Sequence, residues 1–214
     1  MNTAHATAIH RPFPGCSIAS GSGPGALDLR DAGLSEGEIA LHGAIAGARK
    51  TRWIRGRLAA RDAVRQILKG PLPPFVSIGR FPSGAPQVEG IAGMHVSIAH
   101  SGEQSVAIAS IAHPVAIDWE RVQPRSEAFE ARAFTPAELR WLDTQTDRSV
   151  AATRLWTARE AAAKLAGTGL RGRPREWGMT AATAKSITIQ GACIATRVID
   201  GHVLAWGHGQ PSVS

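Results

Sequence analysis

SVAATRLWTAREAAAKLAG, residues 149–167, is a helix by composition and an open question by its charges. Alanine, the strongest helix former, dominates it, and it stops where Gly167-Thr168-Gly169 begins. Glu160 and Lys164 stand four residues apart and therefore share one helical face. A pair of this kind stabilises an isolated helix by only ~0.2–0.5 kcal/mol. It reads either as a surface ion pair or as two parts of an active site.

Working outward, SEAFEARAF (126–134) and TPAELRWLDTQ (135–145) read as two more helices. Thr135 before Pro136 and Glu138 is a good N-terminal signal for the second. Downstream, SITIQGA, CIATRVIDG and HVLAWGHG read as strands, turned at Gly191 and at Asp200-Gly201. Upstream the same alternation appears. Ser35 followed by Glu38 fits a capping box. RKTRWIRGRLAARDAVRQILKG (49–70) places Ile54, Leu58, Ala59, Val64, Ile67 and Leu68 at helical spacing, with arginines over the other face. Gly70 and Pro71 end that helix. FVSIGR, MHVSIAHS, SVAIASIA and VAIDWE follow as strands, the last three spaced like hairpin-connected strands. The first 25 or so residues are rich in Gly, Ser and Pro and read as a loose lead-in with at most one short strand. The fold class is α+β, as two similar halves, residues 1–111 and 112–214.

The 214 residues are 43% apolar and 19% charged, which supports a packed core and argues against disorder. A formal charge of +7 and a sequence pI of about 10.6 favour anionic partners. Cys16 and Cys193 lie far apart and read as free thiols in a reducing compartment. No apolar run approaches a membrane span, and the N-terminus lacks the basic and apolar regions of a signal peptide. A cytoplasmic protein is expected.

In VAIDWE, Asp118 and Glu120 sit two apart on a strand and face the same way. They are either a solvated strand end or a site for a hard cation such as Mg2+, which prefers carboxylate oxygen. His100-Ser101-Gly102 closes another strand with a polar turn suited to phosphate; no Ser-His-Asp arrangement accompanies it. Arg49, Lys50, Arg52, Arg55, Arg57, Arg61 and Arg65 form either a solvated face or a phosphate-binding one. The aromatic stacking motifs of RNA-binding modules are missing.

Taken in order, GRLAAR, SGAP, HVSIAHS, VAIDWE, FTPAELRWL and WTAREAAAKLAGTGL resemble the 4'-phosphopantetheinyl transferase superfamily in its longer, pseudo-dimeric form. The hallmarks appear as Ala116-Ile117-Asp118-Trp119-Glu120, Phe134-x-x-x-Glu138 and Trp156-Thr157-x-x-Glu160-x-x-x-Lys164. The resemblance covers roughly residues 45–172. It implies a pseudo-dimer with its active site at the interface of the halves. It also implies transfer of the phosphopantetheine arm of coenzyme A to a serine of an acidic apo carrier protein, acyl or peptidyl, with release of 3',5'-ADP. Asp118, Glu120 and Glu160 would hold Mg2+, with Mn2+ as a substitute, and Glu160 would act as base. Lys164 would face the phosphates. Arg52, Arg57, His100 and Ser101 would bind the coenzyme phosphates, with Arg49 and Lys50 behind them. Gly84 and Pro86 would line the adenine side.

Four positions depart from the family pattern: Ala99 replaces a serine, Ala116 a glycine, Ala85 a basic residue and Arg159 a lysine. A monomer with no nucleic-acid or membrane partner is expected. Arg121, Arg125, Arg132 and Arg140 beside Phe129, Leu139 and Trp141 read either as a carrier-docking surface or as the packed and solvated faces of two helices, the second chiefly for Leu139 and Trp141. The competing readings are a coenzyme-binding sensor or scaffold and a basic nucleic-acid-binding domain.

Overall fold

A computed structural model describes residues 8–10, 16–21, 33–47, 49–111 and 113–210. The chain divides into two compact units, Met1–Val115 with Gln210–Ser214, and Ala116–Gly209. Unit 1 contains β1 (Ala8–His10), β2 (Cys16–Gly21), α1 (Glu36–Gly43), α2 (Arg49–Leu68), β3 (Ser77–Arg80), β4 (Pro86–Glu89), β5 (Met94–Ser101) and β6 (Gln104–Ile111). Unit 2 is made of β7 (Val115–Arg121), α3 (Glu127–Ala133), α4 (Pro136–Asp143), α5 (Arg148–Leu165), β8 (Met179–Ala182), β9 (Ser186–Ile189), β10 (Ala192–Ile199) and β11 (His202–His208). No described helix is long and apolar enough to cross a membrane.

The two units repeat one plan. In unit 1 the sheet order is β1-β2-β6-β5 with a separate β3-β4 ribbon; in unit 2 it is β7-β11-β10-β9-β8. Each places its long helix over the sheet, and each helix presents small residues there. Ala59, Ala60, Ala63 and Val64 of α2 are fully buried, as are Leu155, Ala158 and Ala161 of α5. The α5 residues pack with Ile187, Ile189, Ile194 and Ala205 of the unit 2 sheet. Both turns of unit 2 expected to be tight are so: Gln190-Gly191 and Asp200-Gly201 have positive φ throughout, as two-residue hairpin turns of type I′ require. The pattern of α+β halves read from the sequence is the one observed.

Four details differ from the sequence reading. The lead-in holds two strands, and β2 pairs along its length with β6. Its Ser, Ala and Gly residues look like a loop but serve close packing, since a Cβ on Gly21 would lie 2.4 Å from the Arg55 carbonyl oxygen. β6 and β7 are not a hairpin; β7 joins β11 in the other sheet. The arginines of α2 do not all cover an outer face, because Arg57 and Arg61 are each 6% exposed. Finally, β4 (PQVE) and β8 (MTAA) are strands despite weak strand propensity, each supplied with a partner by a neighbour of better sequence.

Why two arginines go inside is clear from their partners. Ser35 caps α1, and Glu38 completes the capping box by accepting from the Ser35 amide at 2.9 Å. The same carboxylate oxygen accepts from Arg61 of α2 at 2.7 Å. Arg61 also donates to the Val76 carbonyl just before β3. Unit 2 builds this again. Thr135 and Glu138 form the box of α4, and Glu138 accepts from Arg159 of α5 at 2.5 Å. Arg159 also donates to the carbonyls of Trp177 and Ala133, and lies over the Phe134 ring at 5.3 Å. Glu138 accepts from the Met179 amide as well. The side chain of Arg159 is wholly buried.

A buried charge that loses its partner has neither water nor a counter-ion. Arg159→Ala is therefore expected to lower unfolding stability by about 3–5 kcal/mol in urea titrations. Arg159→Lys is expected to be destabilising too, because an ammonium does not reproduce the planar fork that serves three acceptors. A lysine variant as stable as the parent would show that the fork is dispensable.

Candidate active site

Unit 2 brings the proposed acids together through β7 and α5. The apolar start of β7, Val115 to Ile117, is buried, and Asp118 behind it is only 7% exposed. Lys164, in the last turn of α5, reaches Asp118 Oδ1 at 2.7 Å and the Ile117 carbonyl at 3.1 Å. Asp118 Oδ2 is buried and has no hydrogen-bond partner. Glu120, half-buried two residues on, is paired with Arg125 at 3.3 Å, and the Trp156 side chain favours its charged form. The Arg125 guanidinium in turn lies over Phe129 at 5.0 Å, and Phe129 packs edge-on against Trp156. The hallmark tryptophan of α5 thus packs on the ring that supports the Arg125–Glu120 pair.

Glu160 completes the group. Burial, with the negative charges of Asp118 and Glu120 behind it, pushes its carboxyl up to about 6, against the pull of Lys164. Burial and then Asp118 also raise Glu120, opposed by Arg125 and Trp156. The three acids feel one another's charge. Their all-oxygen donor set, and the orphaned Oδ2 of Asp118, fit a hard divalent cation. Yet among the described residues no three acid, histidine or cysteine side chains close into a metal cluster. Lys164 and Arg125 each take up one acid and hold the set open.

In unit 1 a cleft of about 440 Å3 is lined by Leu41, Ala44, Ile45, Arg49, Arg52, Trp53, Arg80 and His100. That volume suits a small-molecule ligand. Its lining combines apolar side chains with three guanidinium groups and an imidazole, a composition suited to an anion attached to a less polar group. His100 Nδ1 is held by Ser105 Oγ at 2.7 Å.

Of the expected phosphate ligands, Arg52 and His100 meet in this cleft, and Arg57 does not line it. Arg57 is turned inward, donating to the Gly79 carbonyl at 3.1 Å under the Trp53 ring, so its role in the structure is packing. Ser101, Gly84 and Pro86 are not among the lining residues either. Gly84, at positive φ, belongs to the β3–β4 turn, where Phe81 and Ala85 bond to each other. Ala99 is 2% exposed and alternates to the opposite face of β5 from His100. The hydroxyl missing at position 99 is therefore not missing from the cleft. Arg80 and Trp53 were not legible as site residues, since one stands alone on β3 and the other looks like core. Of the expected docking residues, Arg125 is 11% exposed and committed to Glu120, whereas Arg121, Arg132 and Arg140 are exposed.

Gly56 explains how His100 reaches its place. A Cβ there would lie 2.6 Å from His100 Cε1 and 2.9 Å from Ile98 Cγ2. Helix propensity alone favours alanine over glycine by about 1 kcal/mol. We expect Gly56→Ala to forgo that gain and displace His100, weakening anion binding in the cleft at least tenfold by calorimetry. Unchanged binding with raised stability would show that His100 need not rest on α2.

A family model described as the 4'-phosphopantetheinyl transferase superfamily matches residues 114–207. No curated protein matches the chain. Among solved structures, a holo-[acyl-carrier-protein] synthase from Neisseria meningitidis is 20% identical, over 44% of this chain and 95% of that one, with a TM-score of 0.39. The Thermotoga maritima synthase is 21% identical over 46% of this chain and 64% of that one, with a TM-score of 0.40. A Bacillus anthracis synthase in complex with CoA (3',5'-ADP) is 21% identical over 46% and 95%, with a TM-score of 0.37. The matched segment, residues 114–207, is the part of the chain similar to the 4'-phosphopantetheinyl transferase superfamily, and it holds Asp118, Glu120, Glu160 and Lys164.

Proposed function

We propose that the protein transfers the 4'-phosphopantetheine arm of coenzyme A to a serine of an apo carrier protein, with Mg2+, releasing 3',5'-ADP. The observation that carries this reading is the contact of Lys164 on α5 with Asp118 on β7, with Asp118 and Glu120 near enough to raise Glu160, inside the segment that matches the superfamily. A bound Mg2+, held by Asp118, Glu120 and Glu160, would neutralise charge on the phosphate under attack.

The chain's own groups account for the rest. Glu160 is the proton acceptor of this reading. It takes the proton of the carrier serine hydroxyl. The serine oxygen forms the new bond to phosphorus as the bond to the leaving 3',5'-ADP breaks. Lys164 stabilises the charge on that departing phosphate. In unit 1, Arg49, Arg52, Arg80 and His100 bind the coenzyme's phosphate groups, and the Trp53 side of the cleft takes a less polar part of it. Exposed Arg132 and Arg140 suit an acidic carrier, with charges that steer the encounter.

Chelation with EDTA is expected to abolish transfer to an apo carrier, read by mass, and Mg2+ or Mn2+ to restore it. Glu160→Gln is expected to lose at least a hundredfold in turnover, within the ~10²–10⁴-fold range of general-base steps. Near-normal turnover would refute the base and metal roles together. His100→Ala and Arg52→Ala are expected to weaken coenzyme A binding by ~1.5–3 kcal/mol each. Coenzyme A binding with no transfer to any carrier would leave the sensor or scaffold reading standing.

A further inference from the structure

Two acids of unit 2 carry cations of the chain itself, and the two pairs are built differently. Arg125 is locked: its planar group is pinned over Phe129 and paired with Glu120. Lys164 is not. Its side chain is 31% exposed, ends in one ammonium on a flexible stem, and donates to Asp118 and the Ile117 carbonyl. Behind it, Asp118 Oδ2 is buried with no donor to satisfy it.

We infer that Lys164 is an exchangeable counter-ion, seated on Asp118 until a divalent cation takes its place, whereas Arg125 is a permanent clamp on Glu120. The inference rests on the reading of Asp118, Glu120 and Glu160 as metal-binding acids. A carboxylate as buried as Asp118 needs a cation nearby in every state of the protein. A lysine ammonium is strongly hydrated and mobile, so it can supply that charge and also give the place up. A divalent cation offers Asp118 more charge and can engage the orphaned Oδ2, which the ammonium leaves unserved. Exchange has two consequences. Lys164 competes with the metal, so the coenzyme-free protein binds the metal weakly. Once displaced, the same ammonium is available to a phosphate, which couples the two ligands thermodynamically.

The test is calorimetric titration of the full chain, without coenzyme, with Mn2+ alone. Lys164→Met keeps the length of the side chain and removes its charge. It is expected to bind Mn2+ at least tenfold more tightly than the parent, and the double variant Lys164→Met with Asp118→Asn to lose that gain. Thermal unfolding gives a second reading. Lys164→Met should melt lower than the parent in metal-free buffer, and Mg2+ should raise its melting temperature by more. Unchanged Mn2+ affinity and no added thermal response in Lys164→Met overturn the exchange, while leaving the metal reading to stand on the chelation experiment. Tight binding that survives Asp118→Asn overturns both, because the cation then sits elsewhere.

Discussion

A guanidinium buried against the capping glutamate of a short helix holds each unit together. Arg159 is the fuller case. It ties α5 to the first turn of α4, to the end of α3 and to the segment leading into β8, all through one planar group. Replacing such a pair by apolar residues can be as stable, so burial energy alone does not explain it. What an apolar side chain cannot do is fix direction. Three acceptors on three segments leave α5 one rotation and one axial position, and Glu160 follows Arg159 in sequence. The anchoring of the helix and the aim of its acid are one constraint.

The same device in unit 1, Glu38 with Arg61, makes the repeat visible where the sequence hides it. Both units use a capping box, a short helix, a long alanine-bearing helix and a sheet in which an early strand, β2 or β7, lies beside the last strand, β6 or β11. They differ in what they carry. β2 reads Cys-Ser-Ile-Ala-Ser-Gly and has no acid, while β7 carries Asp118 and Glu120. The cleft of unit 1 gathers arginine and histidine instead. A common scaffold has been given anion-binding chemistry in one copy and acid chemistry in the other. The scaffold needs neither, since its shared features are the caps, the buried pairs and the small residues under each long helix.

Much of this was legible because it depends on local chemistry. Capping boxes at Ser35 and Thr135, positive-φ turns at Gly191 and Asp200-Gly201, and the helices from 49 and 148 onward announce themselves within a few residues. The acids were legible through period-two and period-four spacing, and the structure brings Asp118 to Lys164. What sequence could not show depends on partners far away in the chain. β2 looks like a loop until α2 lies on it. Arg57, Arg61 and Arg159 look like solvated charges until the carbonyls and carboxylates they serve come into view. An arginine tells little by itself, because the same side chain suits a surface, a phosphate or a core. Arg52 and Arg57 share a helix and a residue type, yet one lines the cleft and the other closes the packing beneath it.

The charge of the whole chain illustrates the same point at larger scale. A net +7 suggests an anion-binding surface everywhere, but the arginines divide into separate duties. Arg61 and Arg159 neutralise buried glutamates, and Arg57 satisfies a carbonyl. Arg125 and Lys164 balance two of the three acids of unit 2. Those acids therefore retain an excess negative charge within a basic protein, and burial sharpens it by keeping water from screening it. A cation is drawn to such a place whatever the sign of the protein as a whole, because at contact distance the local field outweighs the remote one. The acids of unit 2 thus suit a cation, and the arginines of the unit 1 cleft suit an anion, each by its local charge.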